Sequence, residues 1–209
     1  MNIDIQVSSS RVEIKGMDLK EAFPSYVDEA NEYSFNIWIH VRKNRNLIAI
    51  VHGFVLDEDK ILNEHQNMID VADIYTGDAC NAISALVKSP IFEQELDDDL
   101  AILPPYTCYL ETLYVYPKYR ENGVGRYLFS NLYNILLYSL NINTRCFVII
   151  PTPQEPADNH SWKNSLDSDG NIKKTMINLL KKCGYKRIGK TEFFAINCMT
   201  KHPLLLPVI

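Results

Sequence analysis

Residues 113–126 run Leu-Tyr-Val-Tyr-Pro-Lys-Tyr-Arg-Glu-Asn-Gly-Val-Gly-Arg, placing two glycines one residue apart between an alternating run and an amphipathic one. The spacing predicts a strand over Tyr109–Tyr116, punctuation at Pro117 and a helix over Gly123–Leu140. Val124, Leu128, Leu132, Ile135 and Leu136 would form that helix's core stripe. A helix start carries unpaired N–H groups and the positive end of the macrodipole, so a turn admitting close backbone approach suits a pyrophosphate. Gly123 and Gly125 give that access because neither has a Cβ, and Arg120 and Arg126 add charge nearby. A Rossmann turn is excluded, since Leu128 stands where its third glycine is required, and a P-loop fails for want of Gly-Lys-Ser/Thr.

Other segments fit around this unit. Ile3, Ile5 and Val7 alternate with polar residues, as do Val12 and Ile14, and a helical stretch follows from Asp18 to about Glu32. Phe35–Val41 and Leu47–Leu56 read as neighbouring antiparallel strands joined by a polar hairpin connection at 42–46. Between Asp57-Glu58-Asp59 and Asp97-Asp98-Asp99, apolar residues recur at helical spacing, predicting a helical insertion of two helices broken near Gly77. The acidic ends read as solvated helix flanks, because no histidine or ordered carboxylate spacing accompanies them to make a metal site. Cys146–Ile150 reads as a strand buried on both faces, at the centre of the sheet. Residues 151–171 read as a long loop, followed by a helix from about Ile172 to Cys183 closed by Gly184, and strands near 186–189 and 192–197.

The formal net charge of −5, from 21 basic and 26 acidic residues, gives no general cationic field for nucleic acid or anionic lipid. A neutral or cationic amine is electrostatically easier. The five cysteines are scattered and never spaced C-x-x-C, so neither a disulfide framework nor a zinc knuckle is expected, and a reducing cytoplasm fits. No apolar run reaches the roughly 18–20 residues that span a bilayer, and no basic, apolar leader opens the sequence. The expectation is one soluble domain over 1–209, without metal, nucleic acid or membrane.

Val115, Pro117, Arg120, Gly123 and Gly125 fill V-x-P-x-x-[RQ]-x-x-G-x-[GA] without a gap, and here the sequence resembles the GNAT superfamily of N-acyltransferases. The buried run at 146–150, the helix ending Cys183-Gly184-Tyr185 and the terminal strands extend the likeness to about half the chain. Residues 57–100 match no common element of that fold. The resemblance implies an α/β (α+β) fold with a mixed, mostly antiparallel central sheet flanked by helices, and acetyl-CoA as acyl donor. It also implies direct attack of a primary amine on a small molecule, peptide or protein. Backbone groups of Leu113, Tyr114 and Val115 would hold the pantetheine arm, and those of Glu121, Asn122, Gly123, Val124, Gly125 and Arg126 the pyrophosphate, with Arg120 beside them.

An amine of pKa about 10.4 is mostly protonated near neutral pH, so a proton acceptor near the thioester is needed. Glu111, on the cofactor-binding strand, is the candidate base, acting through water; an exposed strand carboxylate is the bland alternative. The family's tyrosine acid would fall four residues before Gly184, where this chain has Leu180. That gap supports a second reading, an acyl-CoA-binding sensor or interaction module. Tyr185 reads as core packing. His52 and His40 line a cleft or sit in the core, and His160 and Trp162 contact substrate or anchor the surface. Asp167-Ser168-Asp169-Gly170 lacks the spacing of a calcium loop and reads as a turn before a helix. The apolar face of the insertion covers the acceptor cleft or joins two copies as a homodimer.

Overall fold

The computed structural model describes residues 3–9, 32–92, 104–156, 162–164 and 170–198. Seven strands form one sheet in the order β1-β2-β3-β4-β5-β9-β8, antiparallel except for β4–β5. The strands are β1 Asp4–Ser9, β2 Ser34–Lys43, β3 Asn46–Asp57, β4 Tyr106–Val115, β5 Thr144–Ile149, β8 Lys186–Arg187 and β9 Phe194–Asn197. Helices flank it, so the mixed, mostly antiparallel architecture implied by the GNAT resemblance is the one observed. The predicted strand at Val12–Ile14 and the predicted helix from Asp18, up to residue 31, lie outside the described residues.

β2 and β3 are longer than their apolar runs suggest, leaving a two-residue connection, Asn44 and Arg45, both at positive φ (50° and 68°). Paired positive φ values match the right-handed twist of a hairpin. All six residues of β5 are buried, its apolar run Cys146–Ile149 as the lack of alternation requires and Thr144 and Arg145 with it, although the middle strand of the seven is its neighbour β4.

On one face of the sheet lie α4 (Val124–Leu140) and α5 (Asn171–Lys182). The α4 stripe Val124, Leu128, Leu132, Ile135 and Leu136 packs with Ile37, Val51, Cys108, Leu110 and Phe147, and Leu180 and Tyr185 join from the chain's end. α5 stops in a Schellman arrangement: Gly184, at φ 89°, donates its N–H to Lys181 O, and Tyr185 N–H reaches Leu180 O.

The opposite face is covered by residues 57–92, the described part of the 57–100 segment, which form three helices rather than two: α1 Glu58–Asn63, α2 Met68–Asp73 and α3 Gly77–Val87. The additional break falls at residues 64–67, where His65 is at φ 54° and Asn67 caps α2 by accepting from Ile69 N. Ile61, Val71, Ala72, Ala79, Ala82, Ile83 and Leu86 bury against Phe54, Leu56, Tyr109, Cys146 and Val148. The segment is a cover for the sheet.

One of its acidic residues is not a solvated flank. Glu58 is 5% exposed; it accepts from Thr107 Oγ1 at 2.6 Å and pairs with Arg145 at 3.1 Å. Burial pushes its carboxyl up, against the pull of Thr107 and Arg145. Asp57 caps α1, and Asp59 is exposed. Asp97–Asp99 lie outside the described residues.

Candidate active site

β4 and β5 pair in parallel only from Tyr106↔Thr144 to Leu110↔Ile149. Beyond Leu110, β4 is joined within the sheet to β3 alone, while the chain after β5 turns through Pro151 into β6 (Gln154–Pro156). The two strands therefore part at the level of Glu111. Such a parting exposes strand-edge N–H and C=O groups to an extended ligand.

The parting coincides with a β-bulge. His52 pairs with Thr112 but Gly53 pairs with Leu110, so Glu111 is an extra residue on β4. Gly53 permits it, because a Cβ there would lie 2.2 Å from the carbonyl oxygen of Tyr109. The bulge aims Glu111 at β3, where His52 Nδ1 lies 2.8 Å from Glu111 Oε2. Their side chains are exposed by 6% and 39%, so the carboxylate is the member open to the cleft. The His52 hydrogen bond holds the Glu111 carboxyl below its usual range, with burial opposing. Behind the imidazole, Trp38 of β2 stacks at 5.3 Å between centroids, with planes 22° apart.

Further along the same face, Thr112 Oγ1 donates to Gln154 Oε1 at 2.7 Å, and Tyr114 meets Trp162 at 5.3 Å between centroids. Gln154 and Trp162 belong to a small hairpin, β6 with β7 (Trp162–Asn164), inside the stretch read from sequence as loop. Strands of three residues containing Pro156 give no periodic signal. Trp162 is thus an anchor on β4. His160 and Asp167–Asp169 lie outside the described residues, and Gly170, at φ 62°, caps α5.

The predicted turn forms at the end of β4. Pro117–Tyr119 make one 3-10 turn, Glu121 (φ 62°) and Gly123 (φ 79°) take left-handed conformations, and α4 begins at Val124 with no side-chain cap. Asn122 Nδ2 donates to Arg120 O at 2.9 Å, closing the loop. Arg120 braces it from outside, donating Nε to Val115 O at 2.9 Å and lying over the Tyr114 ring. Arg126 is exposed and has no ion-pair partner among the described residues. Leu113 and Val115 turn their side chains into the α4 core. The two glycines differ. A Cβ on Gly123 would touch nothing within 4 Å and only its φ demands glycine, whereas a Cβ on Gly125 would face Leu179 at 3.4 Å and Val115 at 3.8 Å. Gly125 thus allows helix α4 to sit close to β4 and α5.

Leu180 is fully buried, and Tyr185 is 2% exposed with its hydroxyl unpartnered among the described residues and its edge against Phe129. Burial raises that phenol well above its usual range, so it is core packing. On the far lip of the cleft, Ile150, Asp78, Ser84 and Phe193 help line an open pocket of about 490 Å³ between α3 and the β8–β9 turn. Tyr109, two residues before Glu111 on β4, has its phenol raised by burial and by the charges of Asp78 and Glu111. Sequence parity brought His52 into consideration; its pairing with Glu111 required the bulge. Among the described residues no helix is long and apolar enough to cross a membrane, and no three His, Cys, Asp or Glu side chains come together as a metal site.

No protein-family model matches the sequence, and no curated protein matches it. Among solved structures, the chain is similar to a putative N-acetyltransferase, YhhK, from E. coli bound to coenzyme A, at 12% identity and TM-score 0.40, covering 94% of this chain and 99% of that one. It is also similar to Arabidopsis thaliana NAA60 in complex with acetyl-CoA, at 13% identity and TM-score 0.39 over 84% of this chain and 79% of that one. A third is the Drosophila melanogaster polyamine N-acetyltransferase, at 12% identity and TM-score 0.36 over 77% and 74%. The GNAT-like fold stands on the sheet itself: a mostly antiparallel sheet flanked by helices, with its one parallel pair ending where the turn-bearing strand departs.

Proposed function

We propose that this chain is an N-acyltransferase that moves an acetyl group from acetyl-CoA to a primary amine by direct attack. The observation carrying this reading is the parting of β4 from β5 at Glu111, in line with a left-handed glycine turn that opens α4. In this reading the pantetheine arm lies along Leu113, Tyr114 and Val115. The pyrophosphate meets the N–H groups from Glu121 through Asn122, Gly123, Val124 and Gly125 to Arg126. Arg126 is a cation left among the described residues to meet an anion, since Arg120 is occupied by Val115 and Tyr114.

Glu111 serves as the base. Its depressed pKa keeps it ionised near neutral pH, and it takes the ammonium proton directly or through a water. The amine nitrogen then attacks the thioester carbon, the resulting adduct loses its second nitrogen proton to solvent, and the carbon–sulfur bond breaks to give the neutral amide and CoA thiolate. With Leu180 at the place of the family's tyrosine, the thiolate, of pKa about 8.5, takes its proton from solvent. The pocket beside Ile150 and Asp78 gives room for the rest of the acceptor.

The buried Leu180 also favours a second reading, a module that binds acyl-CoA without turning it over. One experiment separates the two. Acetyl-CoA is incubated with the protein and a panel of primary amines, and free CoA and the acetylated product are followed by thiol titration and mass spectrometry. Product release supports the transferase; tight binding with no product from any amine supports the sensor. In Glu111→Gln, turnover falls by about 10²-fold or more with acetyl-CoA affinity unchanged. Equal rates in mutant and wild type remove Glu111 from the mechanism.

A further inference from the structure

We propose that His52 is a positioning residue for the acetyl transfer, holding the Glu111 carboxylate at the bulge so that its free oxygen faces the acceptor amine. This inference rests on the reading of Glu111 as the base, and the geometry divides the roles within the pair. Of the two side chains, His52 is almost wholly buried and Glu111 is open to the cleft. The imidazole Nε2 is itself buried. A base must reach its proton within hydrogen-bond distance or through one water, so the exposed carboxylate meets the substrate and the histidine stands behind it.

The pairing constrains Glu111 in two ways. An extra residue in a bulge lacks the ladder bonds that fix its neighbours, so its side chain has more orientations open to it. Donation from Nδ1 to Oε2 selects one of them and leaves Oε1, which has no partner among the described residues. The imidazole is fixed in turn, lying flat against Trp38 and opposite Thr112, which is tied to Gln154. A chain of contacts from β2 through β3 thus ends on the carboxylate. Other titratable groups on this face include Tyr109, which feels Asp78 of α3 as well as Glu111, Tyr75 stacked on Phe54, Tyr114 beyond Thr112, and His40 of β2, whose pKa is lowered by burial and by Arg42.

The sign of the pH effect follows. Donation from His52 stabilises ionised Glu111, so its removal lets the carboxyl protonate at higher pH. With an amine acceptor, log(kcat/KM) rises with unit slope below the amine's pKa, and the slope steepens where Glu111 also becomes protonated. In His52→Leu and His52→Phe, which offer no donor, that steepening moves to higher pH, kcat falls on the order of 10–100-fold, and acetyl-CoA affinity by calorimetry stays at the wild-type value. A histidine that only filled space would leave the steepening where it was. That result in either folded variant overturns the proposal.

Carbon-13 carboxyl titration of Glu111 in the wild-type protein needs neither variant nor acceptor. A titration below the ordinary glutamate range supports the pair, and one at or above it overturns the proposal even if both variants fail to fold. Full activity in Glu111→Gln overturns the base and this inference with it, whereas activity lost in that variant with an unmoved steepening in the His52 variants overturns the positioning role alone.

Discussion

Gly53→Ala tests the bulge that sets Glu111 in place. The new Cβ would lie 2.2 Å from Tyr109 O and 3.1 Å from Leu110 Cα, and contacts under 3.0 Å are not tolerated. Both obstacles are backbone, so no side chain can swing aside, and β3 and β4 must separate by about 0.8 Å or tilt. Overpacking of this kind costs about 1–3 kcal/mol, and a ladder bond loosened beside it adds about 1 kcal/mol. A total near 3 kcal/mol lowers Tm by roughly 6–12 °C in a chain of this size. Thermal unfolding followed by circular dichroism reads that shift. The same displacement draws His52 away from Glu111, because His52 is the residue next to Gly53, so turnover falls by more than the loss of folded protein explains. The glycine turn lies beyond the far end of β4, and acetyl-CoA affinity measured below the transition is unchanged. A Gly53→Ala protein melting within about 1 °C of wild type would refute the reasoning, since the strands would then accommodate a Cβ where the backbone leaves no room.

Arg145→Met leaves Glu58 buried without its cation and is expected to cost about 3–5 kcal/mol near neutral pH, read by denaturant unfolding. The folded pKa of Glu58 is raised, so its contribution is present at low pH and lost as pH rises through that value; the variant should recover stability on acidification, and a pH-independent deficit would contradict this. Gly123→Ala forces a Cβ-bearing residue to φ 79° without any clash, so stability falls by about 1–2 kcal/mol and acetyl-CoA binding weakens as the turn relaxes, which calorimetry and melting measure together.

The glycine turn was legible because everything that makes it is local: an alternating strand, a proline, two glycines and an apolar stripe lie within one stretch of chain. The Schellman end at Gly184 was legible for the same reason. Glu58 was not, because its partner Arg145 stands 87 residues away and an acidic cluster at a helix start ordinarily faces water. The His52–Glu111 pair was hidden differently. Both residues were in view, yet uninterrupted alternation gives no sign of a bulge, and only Gly53 inside an apolar run hints at one. The break between α1 and α2 left a faint mark in Asn67, whose capping role depends on the chain turning there.

β5 takes its second sheet neighbour from residues 194–197, beyond α5 and β8. During synthesis β1 to β4 can zip together in the order they emerge, and β5 can then dock through α4 onto β4. Until β9 leaves the ribosome, Cys146–Ile149 present an open row of N–H and C=O groups on the uncharged end of β5, beyond Arg145, where no charge discourages pairing. A chain stalled or cut before Phe194 therefore carries its stickiest edge bare, and intermolecular strand pairing is the misassembly it invites.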